Sequence, residues 1–336
     1  IVNYDMQLAD SKITLPEVFP YGIAPLSGKL AGSVNIVAQS LRLTDIRLSN
    51  QDIRQLQANG TIDIKRQRLD ISATLDDINL RQRRHYLLPQ IPQQLRTWLQ
   101  SALIAGKKNH TTVTLRGPFQ GLFSHKDAVV QVNSRVSDTL FHYLPNNPDI
   151  RVEQGQVIID GRQLQVDISK ATLSGLPLHA TANVDDLLKA VVDVNAHIPP
   201  QPAKKIVNIA RHSIAADAIK TVEKLIKPDG EVKIDLALDL PVDDKKAPTT
   251  FKVLIRSKKA SAALVGSPDI GITNAQLYVL VNEQGLQKVT AEGYDTAKKS
   301  PVKLAISRSK AGDYIIKLNN KGNALALLQA SQLLSK

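Results

Sequence analysis

In VKIDLALDL, residues 232–240, an apolar residue stands at every second position: Val232, Ile234, Leu236, Leu238 and Leu240 alternate with Lys233, Asp235, Ala237 and Asp239. A helix would scatter these side chains around its axis, whereas an extended chain puts them all on one face. The same period runs through IDIKRQRLDISATL (62–75), VVQVNSRV (129–136) and RVEQGQVIIDGRQLQVDIS (151–169), where Leu164, Val166 and Ile168 oppose Gln165 and Asp167. Alternation on this scale predicts a mainly β protein of antiparallel strands, with one apolar and one wet face. Asn59-Gly60, Gly117-Pro118, Asp160-Gly161, Asp229-Gly230 and Gln284-Gly285 mark the expected turns. Helical periodicity is confined to 93–106, 203–227 and 323–334; the first ends on Gly106 and the second stops before Pro228.

The chain also resembles itself. RVEQGQVIIDGRQLQV at 151 is echoed by GITNAQLYVLVNEQGLQKV at 271, and HTTVTLRGP at 110 by EVKIDLALDLP at 231, each strand following a helical segment. Two segment pairs with nearly one offset, about 120 residues, predict repeating units: 1–89 as the end of a preceding unit, 90–200 and 201–322 as two copies of a helix followed by a β-meander, and 323–336 as a terminal helix. Such units stack along one axis and bury their apolar faces against neighbours.

Composition removes several chemistries. There is no cysteine in 336 residues, which excludes disulfides, thiolate metal sites and Cys nucleophiles. The seven histidines (His85, His110, His125, His142, His179, His197 and His212) have no ligand spacing, and no Walker loop, GxGxxG or GxSxG occurs. Asp76-Asp77, Asp185-Asp186 and Asp243-Asp244 read as loop or turn acids, because adjacent residues on a strand point to opposite faces. The sequons at 59–61 and 109–111 matter only in a eukaryotic secreted protein. No enzyme, cofactor or metal site is expected. The net charge of +12 is spread as lysine pairs at 107–108, 204–205, 245–246, 258–259 and 298–299 and as RQRRH at 81–85, several of them in expected turns or helix starts. No leader and no run of about 18 apolar residues is present. Any targeting or anchoring element is therefore expected elsewhere.

Residues 88–119, LPQIPQQLRTWLQSALIAGKKNHTTVTLRGPF, resemble the AsmA-like proteins of Gram-negative envelopes, most closely their YhdP-type branch: a Leu-Pro step, a short helix carrying Trp98-Leu99, Ala102 and Gly106, then an alternating strand ending at Gly117. The second copy, GEVKIDLALDLPV after a helix, is similar, although it has no Trp, and GLFSHK keeps Phe123 without a Phe-Pro-Phe run. The likeness spans roughly 87–305. It implies an elongated, strongly twisted antiparallel sheet curled into an open apolar groove, a β-taco. It further implies a periplasmic bridge that carries phospholipid between the inner and outer membranes, is anchored in the inner membrane by a segment outside this chain, and meets membranes or envelope proteins at its ends.

The chemistry of the strands fits that role. A two-tailed phospholipid exposes about 30 methylenes, each costing ~0.8 kcal/mol in water, so its path must be apolar along its length. The expected lining is Val113, Leu115, Val130, Val132, Val157, Ile159, Leu164, Val166, Ile168, Val232, Ile234, Leu236, Leu238, Leu277 and Val279. The competing architecture is a closed sandwich, in which the same residues touch only protein. Trp98 is expected in core packing or as a plug against the groove wall, and the basic helix 203–227 on the sheet's end or edge rather than on an anionic membrane. Two functions remain beside transport. An envelope scaffold or outer-membrane assembly factor of AsmA/TamB type would share the fold, and lipid recovered from the purified protein would separate the two. A basic nucleic-acid binder needs aromatic platforms, and aromatics make up only 4% of this chain, so neither nucleic acid nor a small-molecule substrate is the expected partner.

Overall fold

The computed structural model describes residues 1–12, 24–79, 93–119, 121–123, 125–142, 147–189, 191–213, 216–241, 249–265, 267–296, 300–309 and 311–320. The strands are β1 (Val2–Ser11), β2 (Leu26–Asn35), β3 (Ser40–Ser49), β4 (Ile53–Asp63), β5 (Arg68–Ile78), β6 (Leu103–Pro118), β7 (Val129–Phe141), β8 (Ile150–Asp160) and β9 (Gln163–Leu173). They continue as β10 (Leu176–Val184), β11 (Val191–Pro202), β12 (Ile226–Asp229), β13 (Glu231–Pro241), β14 (Thr250–Leu264), β15 (Ser267–Asn282), β16 (Gly285–Asp295), β17 (Pro301–Arg308) and β18 (Tyr314–Asn320). Helix α1 (Gln93–Ala102) precedes β6, and α2 (Ala203–Ala210) and α3 (Ala216–Leu225) precede β12.

Each strand pairs antiparallel with its sequence neighbour, from β1–β2 to β10–β11 and from β13–β14 to β17–β18. β11 pairs with β13, while β12 and β13 lie end to end along β14, so eighteen strands fill seventeen lanes. Among the described residues no pairing joins β1 to β18. The result is one open antiparallel sheet. Helix α1 followed by six strands, β6–β11, is succeeded by α2, α3 and six further lanes, and the hairpins β8–β9 and β15–β16 hold the same place in the two series. Each turns through two residues, Gly161-Arg162 and Glu283-Gln284, and each sets an apolar pair on the same face, Ile159 opposite Leu164 and Val281 opposite Leu286.

The curvature follows from α1. Along β7, Val130 and Phe141 are eleven steps apart, about 36 Å in a straight strand, whereas a ten-residue helix is only about 15 Å long. Yet the Trp98 ring meets Phe141 edge-on at a centroid distance of 5.6 Å. Trp98 and Leu99 also pack on a buried cluster of Phe123, Val130, Val184, Leu187, Val192, Leu238 and Leu240, residues at the opposite ends of their strands. Both contacts hold only if the sheet bends along its strands until their ends approach. The apolar face is thus concave. Its side chains bury one another by this curling, in four clusters placed along the sheet. The convex face carries cross-strand ion pairs such as Arg116–Asp70 (2.9 Å), Lys170–Glu153 (2.6 Å) and Lys303–Glu292 (3.1 Å).

Several boundaries differ from the expected ones. The segment 62–75 is a hairpin: Ile64–Gln67 form a four-residue turn, with Gln67 at φ 50° and its N–H donating to Ile64. Asn59-Gly60 is no turn but the interior of β4, where Gly60 takes φ 151° against the Asp70 carbonyl of β5. Asp229-Gly230 is the break between β12 and β13 rather than a hairpin. The first helix ends at Ala102, because Leu103 and Ala105 pair with Phe141 and Leu140 of β7 and strand pairing overrides the helical pattern. The second divides at Arg211–Ser213, and Ile226 and Lys227 leave it to pair with Leu264 and Ala263. Asp76 and Asp77 stand in β5 instead of a loop, and Lys107-Lys108 and Lys258-Lys259 stand in β6 and β14. The terminal helix 323–334, Leu88-Pro89, RQRRH, Asp243-Asp244, Lys245-Lys246 and Lys298-Lys299 lie outside the described residues.

Candidate functional site

Residues directly opposite in an antiparallel pair share a face, so the registers trace what the concave side presents. One row runs Leu30, Ile46, Ala58, Ala73, Val113, Val132, Ile159, Leu164 and Val184 from β2 to β10 without a polar member. A second runs Val157, Val166, Ala182, Val194, Leu238 and Phe251. A third begins at Ile168 and passes Ala180, Ala196, Leu236, Val253, Val281 and Leu286, and a fourth passes Ile198, Ile234, Ile255, Val279, Val289 and Ile306. The rows overlap, and each starts before its predecessor ends. An apolar surface therefore crosses the sheet from β2 to β17.

All fifteen residues named from the sequence as lining share this face. Leu115, Val130, Ile159, Leu164, Leu236 and Leu238 belong to or pack on the cluster beneath α1, and Ile168, Val232, Ile234 and Leu277 on the cluster that includes α2. Val113, Val132, Val157, Val166 and Val279 complete the rows between them. Only Val130, Val232 and Leu238 are buried; the other twelve are half-buried. In a closed sandwich a second sheet would cover them, so this face is a trough with walls of itself. The polar pair Thr111 and Ser134 in neighbouring strands is joined hydroxyl to hydroxyl at 2.6 Å, so each meets the other in the wall.

Sequence reasoning missed the part of this face contributed by β2–β5, where Ala58, Ala73 and several glycines dilute the pattern. It also missed Val194, Val253, Ile255 and Val281, although their period-two spacing in VVDVNAHI, FKVLIR and LYVLVN was readable. The helices are part of the trough as well. Ala203, Ile206 and Ile209 of α2 pack with Val152, Ala171, Leu176, Leu178 and Ile198, so the basic segment 203–210 turns its apolar side onto the concave face. Among the described residues no helix is long and apolar enough to cross a membrane.

The convex face has the charge chemistry. Asp235 accepts from His197 at 2.8 Å and is bound by Arg256. Burial alone would raise its carboxyl, but the two hydrogen bonds outweigh burial and hold it below the usual carboxylate range. Asp193 is pushed up by burial and by Asp239, its direct cross-strand partner. A depression of about 870 Å³ beside the Asp235 partners His197 and Arg256 is lined by Lys233, Lys258, Lys259, Glu231 and Glu292 as well, cations and acids together. Among the described residues no group of three or more His, Asp or Glu could hold a metal ion.

Comparison with known proteins settles the lineage. A family model described as YhdP protein matches residues 2–336, practically the whole chain. The chain belongs to the YhdP family. No curated protein and no solved structure matches it. The YhdP family is AsmA-like, and the single open β-sheet described here is the architecture that its resemblance implied.

Proposed function

We propose that this chain is a periplasmic segment of a bridge-like lipid transporter, a non-enzymatic conduit whose concave face shields phospholipid acyl chains on their way between the inner and outer membranes of a Gram-negative envelope. The observation that carries the reading is the unbroken succession of apolar rows from β2 to β17, in which most members are half-buried instead of sealed in a core. Acyl chains need continuous contact with such a surface, since every methylene left in water costs ~0.8 kcal/mol. Head groups need none: they remain in water at the open mouth, consistent with a trough that offers no ordered set of polar groups. Aliphatic walls of Val, Ile, Leu and Ala follow flexible tails of varying shape. Membranes or envelope proteins meet the bridge at its ends.

The test is photo-crosslinking in the intact envelope protein. A photoreactive residue at Leu236 or Val166, both on the concave face, is expected to form phospholipid adducts; one at Asp235 or Asp167, on the convex face, is not. Equal labelling at all four positions, or none at Leu236 and Val166, would overturn the reading. A second reading, a non-transporting envelope scaffold, is favoured by one observation: α1 and α2 fill part of the trough with protein. In that case the purified chain carries no lipid.

A further inference from the structure

Helix α1 sits where a lipid tail would have to lie. It joins β6 directly at Leu103, so it starts from one end of the strands, and there Trp98 meets Phe141. The cluster that receives Trp98 and Leu99 includes Leu122 and Phe123 from the β6–β7 connection and Val130 at the start of β7, all at the other end. The helix therefore spans the mouth of the trough. Ile159 and Leu164, members of the apolar rows, pack on the same cluster. The same placement recurs one unit later, where α2 precedes its own set of strands and lays Ala203 and Ile206 on the concave face.

Resting on the transport reading, we propose that α1 is a displaceable strap: in the lipid-free chain it occupies the acyl-chain site at the level of β6 and β7, and a passing phospholipid tail takes its place. The exchange is chemically even. Trp98 and Leu99 hold the cluster by apolar contact, and an aliphatic tail offers the same walls the same kind of contact. Strand-to-strand hydrogen bonds are left intact when α1 lifts, because β6 keeps its ladders to β5 and β7. The strap thus closes the trough to water when it is empty and yields to lipid by mass action.

Trp98 is the single tryptophan of the chain, so it reports on the strap without engineering. Lipid-depleted protein is incubated with phosphatidylethanolamine and phosphatidylglycerol vesicles, ordinary or brominated in the acyl chains, and bound phospholipid is counted by mass spectrometry. Loading is expected to shift Trp98 emission to the red, and brominated tails to quench it. In parallel, Leu99→Cys with Phe123→Cys in this cysteine-free chain is joined by a short bismaleimide, pinning α1 across the mouth. The pinned protein should load at least tenfold less lipid than the same double variant left unjoined. If lipid loads while Trp98 emission is unmoved, or if pinned and unjoined proteins load alike, the strap is overturned although the conduit stands. If no variant loads lipid, the conduit reading fails and the strap with it.

Discussion

A carboxylate placed in the trough distinguishes a lipid path from an incidental apolar face. Val132 lies between Val113 and Ile159 in the first row, is half-buried, and belongs to no buried cluster. In Val132→Asp the new charge keeps the partial solvent contact of a half-buried position, so folding loses only part of a valine's burial, about 1 kcal/mol. A tail lying over that position fares worse. It must leave the wall for about one strand spacing, 4.8 Å, or roughly four methylenes, which at ~0.8 kcal/mol each comes to ~3 kcal/mol. At ~1.4 kcal/mol per factor of ten, this corresponds to about a hundredfold weaker occupancy at that level. The control is Asn133→Asp on the convex face one residue on. Both variants and the parent are exposed to phospholipid vesicles, retained lipid is counted by mass spectrometry, and urea unfolding is measured on the same samples. Val132→Asp should lose most of its lipid with a small change in midpoint, while Asn133→Asp should lose neither. Equal retention by the two variants at equal stability would refute the argument that acyl chains run along this row.

Leu238 is 2% exposed between Val194 and Phe251, so Leu238→Ala should cost about 2–5 kcal/mol in chemical denaturation, against under about 1.5 kcal/mol for half-buried Val166→Ala. Gly60→Ala would set a Cβ 2.1 Å from the Asp70 carbonyl at φ 151°, and a loss of at least about 1–3 kcal/mol is expected from the same measurement. Asp193, raised by burial and by Asp239 opposite, holds its proton more tightly folded than unfolded. Its contribution to stability is therefore greatest below the ordinary carboxylate pKa and falls as pH rises through the raised value. Asp193→Asn should raise stability at neutral pH by the worth of one relieved like-charge pair, about 0.2–1 kcal/mol, and leave it unchanged in acid; thermal melts across pH test the sign.

The alternation of VKIDLALDL was enough to read β13 and its face, and the echo of residue 151 at 271 anticipated two hairpins in matching places. Other features had little signal in the sequence. The turn Ile64–Gln67 has neither Gly nor Pro, and only a shift of the apolar positions from even (Ile62, Ile64) to odd (Leu69, Ile71) marks it, so β4 and β5 looked like one strand. Gly60 was read as a turn because a glycine's two uses, reversing a chain and admitting a close neighbouring backbone, look alike in one dimension. The helix 93–106 lost its last turn to β7, a partner more than thirty residues on that local propensity does not register. That α1 spans the trough was beyond reach, since it depends on how far a sheet bends and not on any residue's preference. The plug option kept for Trp98 was the nearest approach to it.

Pairing confined to adjoining lanes also fixes a gauge. Each lane adds about 4.8 Å along the axis, so the seventeen described lanes measure about 77 Å, and a helix with six strands is a step of about 29 Å. Because, among the described residues, no strand pairs beyond the adjoining lane, a whole step can be inserted or deleted without re-pairing the rest. Reach can then evolve separately from the chemistry of the wall, as the length of a rail is set by the number of sleepers laid.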